Sequence, residues 1–271
     1  MSPDPKSQIT IFDTTLRDGE LALPAKLSIQ QKLQFAQQLE AMCVDVIEVG
    51  YPGAYRNDSD ALFMVSKRVK RAIVCGLAGS KLDEIASVAI ALKPTLQGRI
   101  NIFTSTNSLD ASPLDQAQTL DVIRESVSLA RNYRDDVQWT AFDATRSQPD
   151  FLCRAIETAV RSGATTISLA DSLGVASPLT FAQLLESVTN RVPNIEQARI
   201  AVHCHDDLGF ALENSLLALE YGIRQIECSV NGLGARKGNA NLANVVQAIQ
   251  RDSHYTVNTD LTLLDCSFEL G

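Results

Sequence analysis

The segment RIAVHCHDDLGFA, residues 199–211, closes a β-rich run with two histidines and two acids. A strand alternates its side chains, so His203 and His205 face one side and Cys204 the other. The 271 residues hold only three histidines, and two of them stand here. Two imidazoles converging on one point suggest a metal ion, provided the fold brings further ligands to them. Working outward, 199–205 is the seventh of eight β-rich runs, the others being 8–13, 45–50, 72–77, 99–104, 136–141, 165–170 and 224–230. Helical patterns separate them at 28–42, 58–70, 81–92, 113–132, 149–161, 178–190 and 209–221, with an eighth at 239–251. SPLDQAQ (112–118) and SPLTFAQ (177–183) each set Ser before Pro, a helix N-cap and first-turn pattern. This alternation predicts an α/β fold, a single-domain (β/α)8 TIM barrel. An open doubly wound sheet would want Gly-x-Gly-x-x-Gly after its first strand, where the chain reads DTTLRDG (13–19) instead. The expected organisation is a tail over 1–7, the barrel over 8–255 and a short extension over 256–271.

Barrel active sites sit at the C-terminal ends of the strands. Those ends carry Asp13, Arg17, Asp18, Glu20, Glu48, Asn101, Thr140, Asp143, Asp171, Ser172, the two histidines and Asn231, and GLGARKGN then leads to Asn239. Imidazoles with carboxylate and amide oxygens suit Mg²⁺, Mn²⁺ or Zn²⁺ in an open site. Each residue also has a plainer reading. Asp13 and Asp143 could cap turns, Glu48 could pair with a nearby Arg or Lys, and Asp206 and Asp207 could begin the next helix, where carboxylates suit its positive end. His254 reads as a surface residue. The glycine loop reads as one that delivers Asn239, with Arg236 or Lys237 facing an anion.

Composition narrows the classes. The formal net charge is −8, with no basic face to suit nucleic acid. No apolar run approaches the roughly 20 residues that span a bilayer, and MSPDPKSQIT lacks the apolar stretch of a signal peptide. The six cysteines include no Cys-x-x-Cys pair, which reads as reduced and mostly buried thiols in a cytoplasmic protein.

FDTTLRDGE (12–20), DVIEVGYP (45–52), VHCHDDLG (202–209) and NGLGARKGN (231–239) together resemble the metallolyase TIM barrels with an Asp-Arg-Glu signature. These include 2-isopropylmalate synthase, homocitrate synthase, 3-hydroxy-3-methylglutaryl-CoA lyase and 4-hydroxy-2-oxovalerate aldolase. GLAGSKLDEI (76–85) and DATRSQPDFLCRAIETAV (143–160) are most similar to the isopropylmalate synthase branch. The resemblance implies metal ligands at Asp18, His203, His205 and Asn239. It implies Arg17 at the developing oxyanion, Glu48 as the signature acid, and Asn101, Thr140, Phe142 and Ser172 around a 2-oxo or 2-hydroxy acid. It implies carbon–carbon bond formation or cleavage, by acyl transfer from acetyl-CoA or by a lyase or aldolase reaction. Arg17 is then needed only for its charge, so its removal is expected to spare stability and metal binding.

The chain departs from the synthases at four points. Leu21 replaces a Gln, Asn101 a His, Phe142 a Glu and Ala235 a Glu. The synthases' C-terminal subdomain, with its His and Tyr, lies beyond these residues. The expectation is therefore a homodimer or a second chain that supplies it, and little isopropylmalate synthase activity from this chain alone. A non-catalytic subunit that keeps metal and ligand binding is the other reading. Phe142 is expected to line the pocket beside Thr140 and to select an apolar group.

Overall fold

Eight short strands, β1 (Thr10–Asp13), β2 (Val46–Glu48), β3 (Ile73–Ala78), β4 (Gly98–Ser105), β5 (Asp136–Phe142), β6 (Thr166–Asp171), β7 (Arg199–Cys204) and β8 (Gln225–Cys228), pair in sequence order as a closed parallel barrel. The structure is a computed structural model and describes residues 6–107 and 113–266. The ring closes where Thr10–Asp13 lie beside Gln225–Cys228. Eight helices cover the outside: α1 (Ile29–Ala41), α2 (Arg56–Arg68), α3 (Leu82–Ala91), α4 (Pro113–Tyr133), α5 (Pro149–Arg161), α6 (Pro178–Arg191), α7 (Ala211–Glu220) and α8 (Leu242–Arg251). The expected (β/α)8 barrel is thus the observed fold.

Local chemistry explains the helix starts. Ser28 and Gln31 form a reciprocal capping box on α1. Ser177 accepts from Thr180 N, with Pro178 in the first turn of α6, as the sequence predicts. The other expected cap, Ser112, lies outside the described residues. Ser7–Gln8 belong not to β1 but to a separate two-residue pairing with Tyr255–Thr256, which clasps the two ends of the barrel together.

The main apolar core lies between strands and helices. Strand residues such as Ile11, Ile102, Trp139 and Leu169 join helix residues such as Leu152, Ala155, Ile156 and Ala159 in it. The barrel interior differs, because its lower half is polar. Arg99 donates to Asp136 Oδ1 at 2.9 Å, to Gln138 Oε1 at 3.2 Å and to Gln225 Oε1 at 2.9 Å. Gln138 in turn donates to Glu227 Oε1 at 2.7 Å. Buried polar groups are tolerable only when bonded, and this network reaches upward to the strand ends where the site lies.

Four of the six cysteines, Cys75, Cys153, Cys204 and Cys228, are buried and free, while Cys43 is exposed; the side chain of Cys266 lies outside the described residues. His254 is exposed, as expected. No helix among the described residues is long and apolar enough to cross a membrane.

Candidate metal centre and active site

His203 lies in β7 and His205 just beyond it, and alternation turns both rings inward. His203 Nδ1 lies 3.0 Å from Glu227 Oε2, and His205 Nδ1 lies 3.1 Å from Gly238 O. Both partners are acceptors, so each Nδ1 carries the proton and each neutral Nε2 carries a lone pair. The two Nε2 atoms stand only 3.3 Å apart. Two facing lone pairs need a cation between them or a proton on one. Asp18 adds a carboxylate oxygen, and the three ligand atoms all lie within 4.8 Å of one another.

Asn239 is the further candidate, held beside Asp18. Its Nδ2 donates to Asp18 Oδ2 at 2.7 Å and to Leu233 O at 2.9 Å. Both neighbours are acceptors, so the amide orientation is chemically dictated. Its Oδ1 is then left buried with no hydrogen-bond partner. An orphaned buried oxygen beside two imidazole lone pairs and a carboxylate fits a divalent ion.

The glycine loop makes this approach possible. A Cβ on Gly234 would lie 2.2 Å from Asn239 Nδ2 and 2.7 Å from Asp18 Oδ2. Gly238 has φ +97°, and a Cβ there would lie 2.0 Å from Gly232 O. Of the loop's two cations, Arg236 is held by a carboxylate of the chain itself. Arg236 donates to Asp207 twice at 2.9 Å and to Ser172 O at 2.7 Å. That bond corrects the expectation that Asp207 begins the next helix. Asp207 holds the loop, and α7 begins only at Ala211, whose N–H is accepted by Asp206 Oδ1 at 2.9 Å.

The electrostatics favour an ionised Asp18. Burial would raise its pKa, but Arg17 and the two histidines outweigh burial and hold it well below the carboxylate range. Burial and the neighbouring His203 push His205 down to about 4, which keeps its Nε2 lone pair free near neutral pH. His203 moves the other way. Burial would lower it, but its hydrogen bond to Glu227 and that carboxylate's charge raise it, as a carboxylate behind an imidazole makes the ring more basic.

Arg17 lines the pocket beside Asp18. Its Nε donates to Glu48 Oε2 at 2.7 Å and its Nη1 to Asp18 Oδ1 at 2.8 Å. Glu48 is fully buried behind it, accepting also from Thr14 Oγ1 at 2.7 Å and from Asn101 Nδ2 at 3.0 Å. Glu48 is thus placed to position Arg17. Thr140 Oγ1 donates to Asn101 Oδ1 at 2.8 Å, and Ser172 Oγ accepts from Asp143 N at 2.8 Å. Asn101, Thr140, Phe142 and Ser172 all line one pocket of about 300 Å³ together with Arg17, Asp18 and both histidines.

Asp13 and Asp143 serve turns, as their plainer reading has it. Asp13 accepts from Thr15 N at 2.9 Å and from Thr15 Oγ1 at 2.8 Å. Asp143, at φ +63°, holds Arg146 and accepts from Asn107 Nδ2 at 3.0 Å.

The sequence reading missed three features. Glu227, two residues after Gln225 on β8, shares its inward face, and that period was the available signal. Lys32 is buried on α1 and reaches Glu20 Oε2 and Asp58 Oδ1, each at 2.8 Å; no local pattern announces a buried lysine. Tyr51 and Phe103 form part of the pocket wall.

Residues 8–267 match the HMGL-like family. The chain belongs to that family. A 2-isopropylmalate synthase of Rhodopseudomonas palustris (strain BisB5) is 45% identical over 256 residues, covering 92% of this chain and 49% of that protein. The chain spans about half the length of the curated relatives it matches. The HMG-CoA lyase of Bacillus subtilis superposes with a TM-score of 0.80 at 22% identity, over 96% of this chain and 91% of that one. An HMG-CoA lyase of Acinetobacter baumannii, solved with coenzyme A and 3-methylmalate, gives 0.78 at 22% identity over 95% and 88%. These two likenesses establish a shared fold.

Proposed function

We propose that this HMGL-like barrel makes or breaks a carbon–carbon bond beside the carbonyl of a 2-oxo or 2-hydroxy acid. A divalent ion, Mn²⁺, Mg²⁺ or Zn²⁺, would be held by Asp18, His203, His205 and Asn239. The observation that carries this reading is the facing pair of Nε2 atoms beside Asp18 and the orphaned Asn239 Oδ1, with Arg17 at the same pocket.

A bound divalent ion supplies Lewis-acid polarisation of a carbonyl oxygen. The chain's own residues do the rest. Arg17, fixed through Nε and Nη1, offers Nη2 to an oxyanion from a position set before reaction. Glu48 stops that guanidinium from swinging away. Ser172, whose hydroxyl accepts from Asp143 N, keeps its hydrogen to offer to the acid's carboxylate, while Thr140 orients Asn101. The named relatives support an alkylmalate synthase-like acyl transfer from acetyl-CoA as the finer activity.

One observation favours a second reading, in which this chain binds ligand and a partner chain completes the chemistry. The carboxylates lining the pocket are all engaged: Asp18 with Arg17, Asp58 with Lys32 and Glu227 with His203. Phe142, which replaces an acid, cannot take a proton. Abstracting one from an acyl thioester therefore calls for a base from outside these groups.

The test is to incubate the protein with a series of 2-oxo acids, with and without acetyl-CoA, in each of the three metals, and to identify products by mass spectrometry. Metal-dependent condensation or cleavage products support the enzyme. Ligand binding without turnover supports the second reading. Neither binding nor product in any metal would overturn both.

A further inference from the structure

The pocket has two unlike ends. One holds Arg17, Asp18, His203 and His205. The other is aromatic. Phe103 and Phe142 lie on the inward faces of β4 and β5, each two residues beyond a polar pocket residue, Asn101 and Thr140. Tyr51 meets Phe103 edge-to-face at 5.7 Å and 85°, and Phe103 meets Phe142 at 6.0 Å and 54°.

The three rings form a continuous wall, anchored at its Tyr51 end. The Tyr51 hydroxyl donates to Glu84 Oε2 at 2.7 Å, and its backbone N–H to Asp58 Oδ2 at 2.8 Å. Glu84 is fixed by the Gly79 N–H at 2.8 Å. A Cβ on Gly79 would lie 2.7 Å from Glu84 Oε2 and 3.0 Å from the Tyr51 hydroxyl, so the glycine leaves room for this tie. The floor beneath the wall is short. Thr140 and Asn101 spend their polar groups on each other and on Glu48, so neither projects into the space between the rings.

Phe142 is 44% exposed and Leu21, on the opposite lip, 49%. A large apolar side chain left open at the mouth of a polar-ended pocket is covered when ligand enters. An aromatic ring matches this wall better than a branched alkyl group does, because ring edges and faces attract beyond the area they bury. A small alkyl group would fill the floor and leave Phe142 open to water.

We propose that this wall is a subsite for an aryl side chain, making the preferred substrate a 2-oxo acid that ends in an aromatic ring. The proposal rests on the 2-oxo-acid reading above. The carboxyl and carbonyl end lies at Arg17 and the histidines, and the ring lies against Phe103 and Phe142.

The test measures binding to the metal-supplemented protein by calorimetry, with phenylpyruvate and 2-oxoisovalerate as probes, and then repeats it with Phe142→Ala. Phenylpyruvate is expected to bind at least about tenfold more tightly, on the scale of one added aromatic contact plus its buried area. Phe142→Ala is expected to erase most of that difference while leaving 2-oxoisovalerate little changed. Half exposure of Phe142 means the substitution does not threaten the fold, and a thermal melt checks this. Equal or tighter binding of 2-oxoisovalerate by the unaltered protein overturns the aryl subsite and leaves the 2-oxo-acid reading standing. A preference that survives Phe142→Ala also overturns the assignment to this wall. Failure of both acids to bind overturns the 2-oxo-acid reading itself.

Discussion

Asn239 Nδ2 lies 2.7 Å from Asp18 Oδ2, although the two residues are separated by 221 positions in the chain. The bond and that to Leu233 O occupy Nδ2 and leave Asn239 Oδ1 buried without a hydrogen-bond partner. The approach exists because Gly234 has no side chain. Gly234→Ala forces a contact 2.2 Å from Asn239 Nδ2. Its expected outcome is metal affinity lower by about 10–100-fold, the range for disturbed support of a ligand. Calorimetric titration with Mn²⁺ checks it, and unchanged affinity would remove Asn239 from the ligand set.

Metal removal is expected to lower the melting temperature. An ion that binds only the folded chain stabilises it by RT ln(1 + [L]/Kd), about 2.7 kcal/mol at a hundredfold excess over Kd. The check is a thermal melt before and after chelation, then after adding Mn²⁺ back. Asn239→Ala should lose most of this metal-dependent gain.

Arg17→Ala is expected to abolish turnover, but not to spare stability as its charge-only role implies. Glu48 is fully buried, and its closest cation is the Arg17 Nε at 2.7 Å. Breaking a buried pair by removing one partner costs about 3–5 kcal/mol. Adding Glu48→Gln to Arg17→Ala should restore much of the stability without restoring turnover. Urea melts of the single and double variants separate the two effects. Equal stability of wild type and Arg17→Ala contradicts the pairing argument.

Lys32→Met is expected to destabilise by a similar amount. It leaves Glu20 and Asp58 facing each other in the protein interior without the ammonium that each touches at 2.8 Å. Denaturant midpoints report the change, and a loss below about 1 kcal/mol would show that Lys26 takes over the neutralisation.

Asp13 sets a pH dependence. Burial pushes its carboxyl up to about 7, against the lowering effect of its bonds to Thr15. In the window from about 4 to about 7, the folded chain keeps a proton that the unfolded chain has lost. Asp13's stabilising contribution is therefore full below the window and is lost as pH rises through it. Asp13→Asn should flatten the fall in stability between pH 5 and pH 8, measured by urea melts at both. An identical slope in the two proteins would show that the group is ionised in the fold throughout.

The sequence by itself determined the barrel and marked Arg17, Asp18 and the two histidines as site candidates. Eight strand-and-helix alternations, a His-x-His at a strand end and an Arg-Asp pair after the first strand are local patterns, and period and spacing express them directly. Tertiary structure alone decided what each acid does. Asp207 and Arg236 are 29 residues apart, so nothing local distinguishes a helix-starting acid from one that clamps a loop. Glu48 reads either as a chemical group or as the partner of a nearby Arg or Lys, and only the pairing of β2 against β1 sets it behind Arg17. Glu227 and Lys32 escaped notice for the same reason. A buried charge is defined by its partners, and here the partners come from other turns of the barrel.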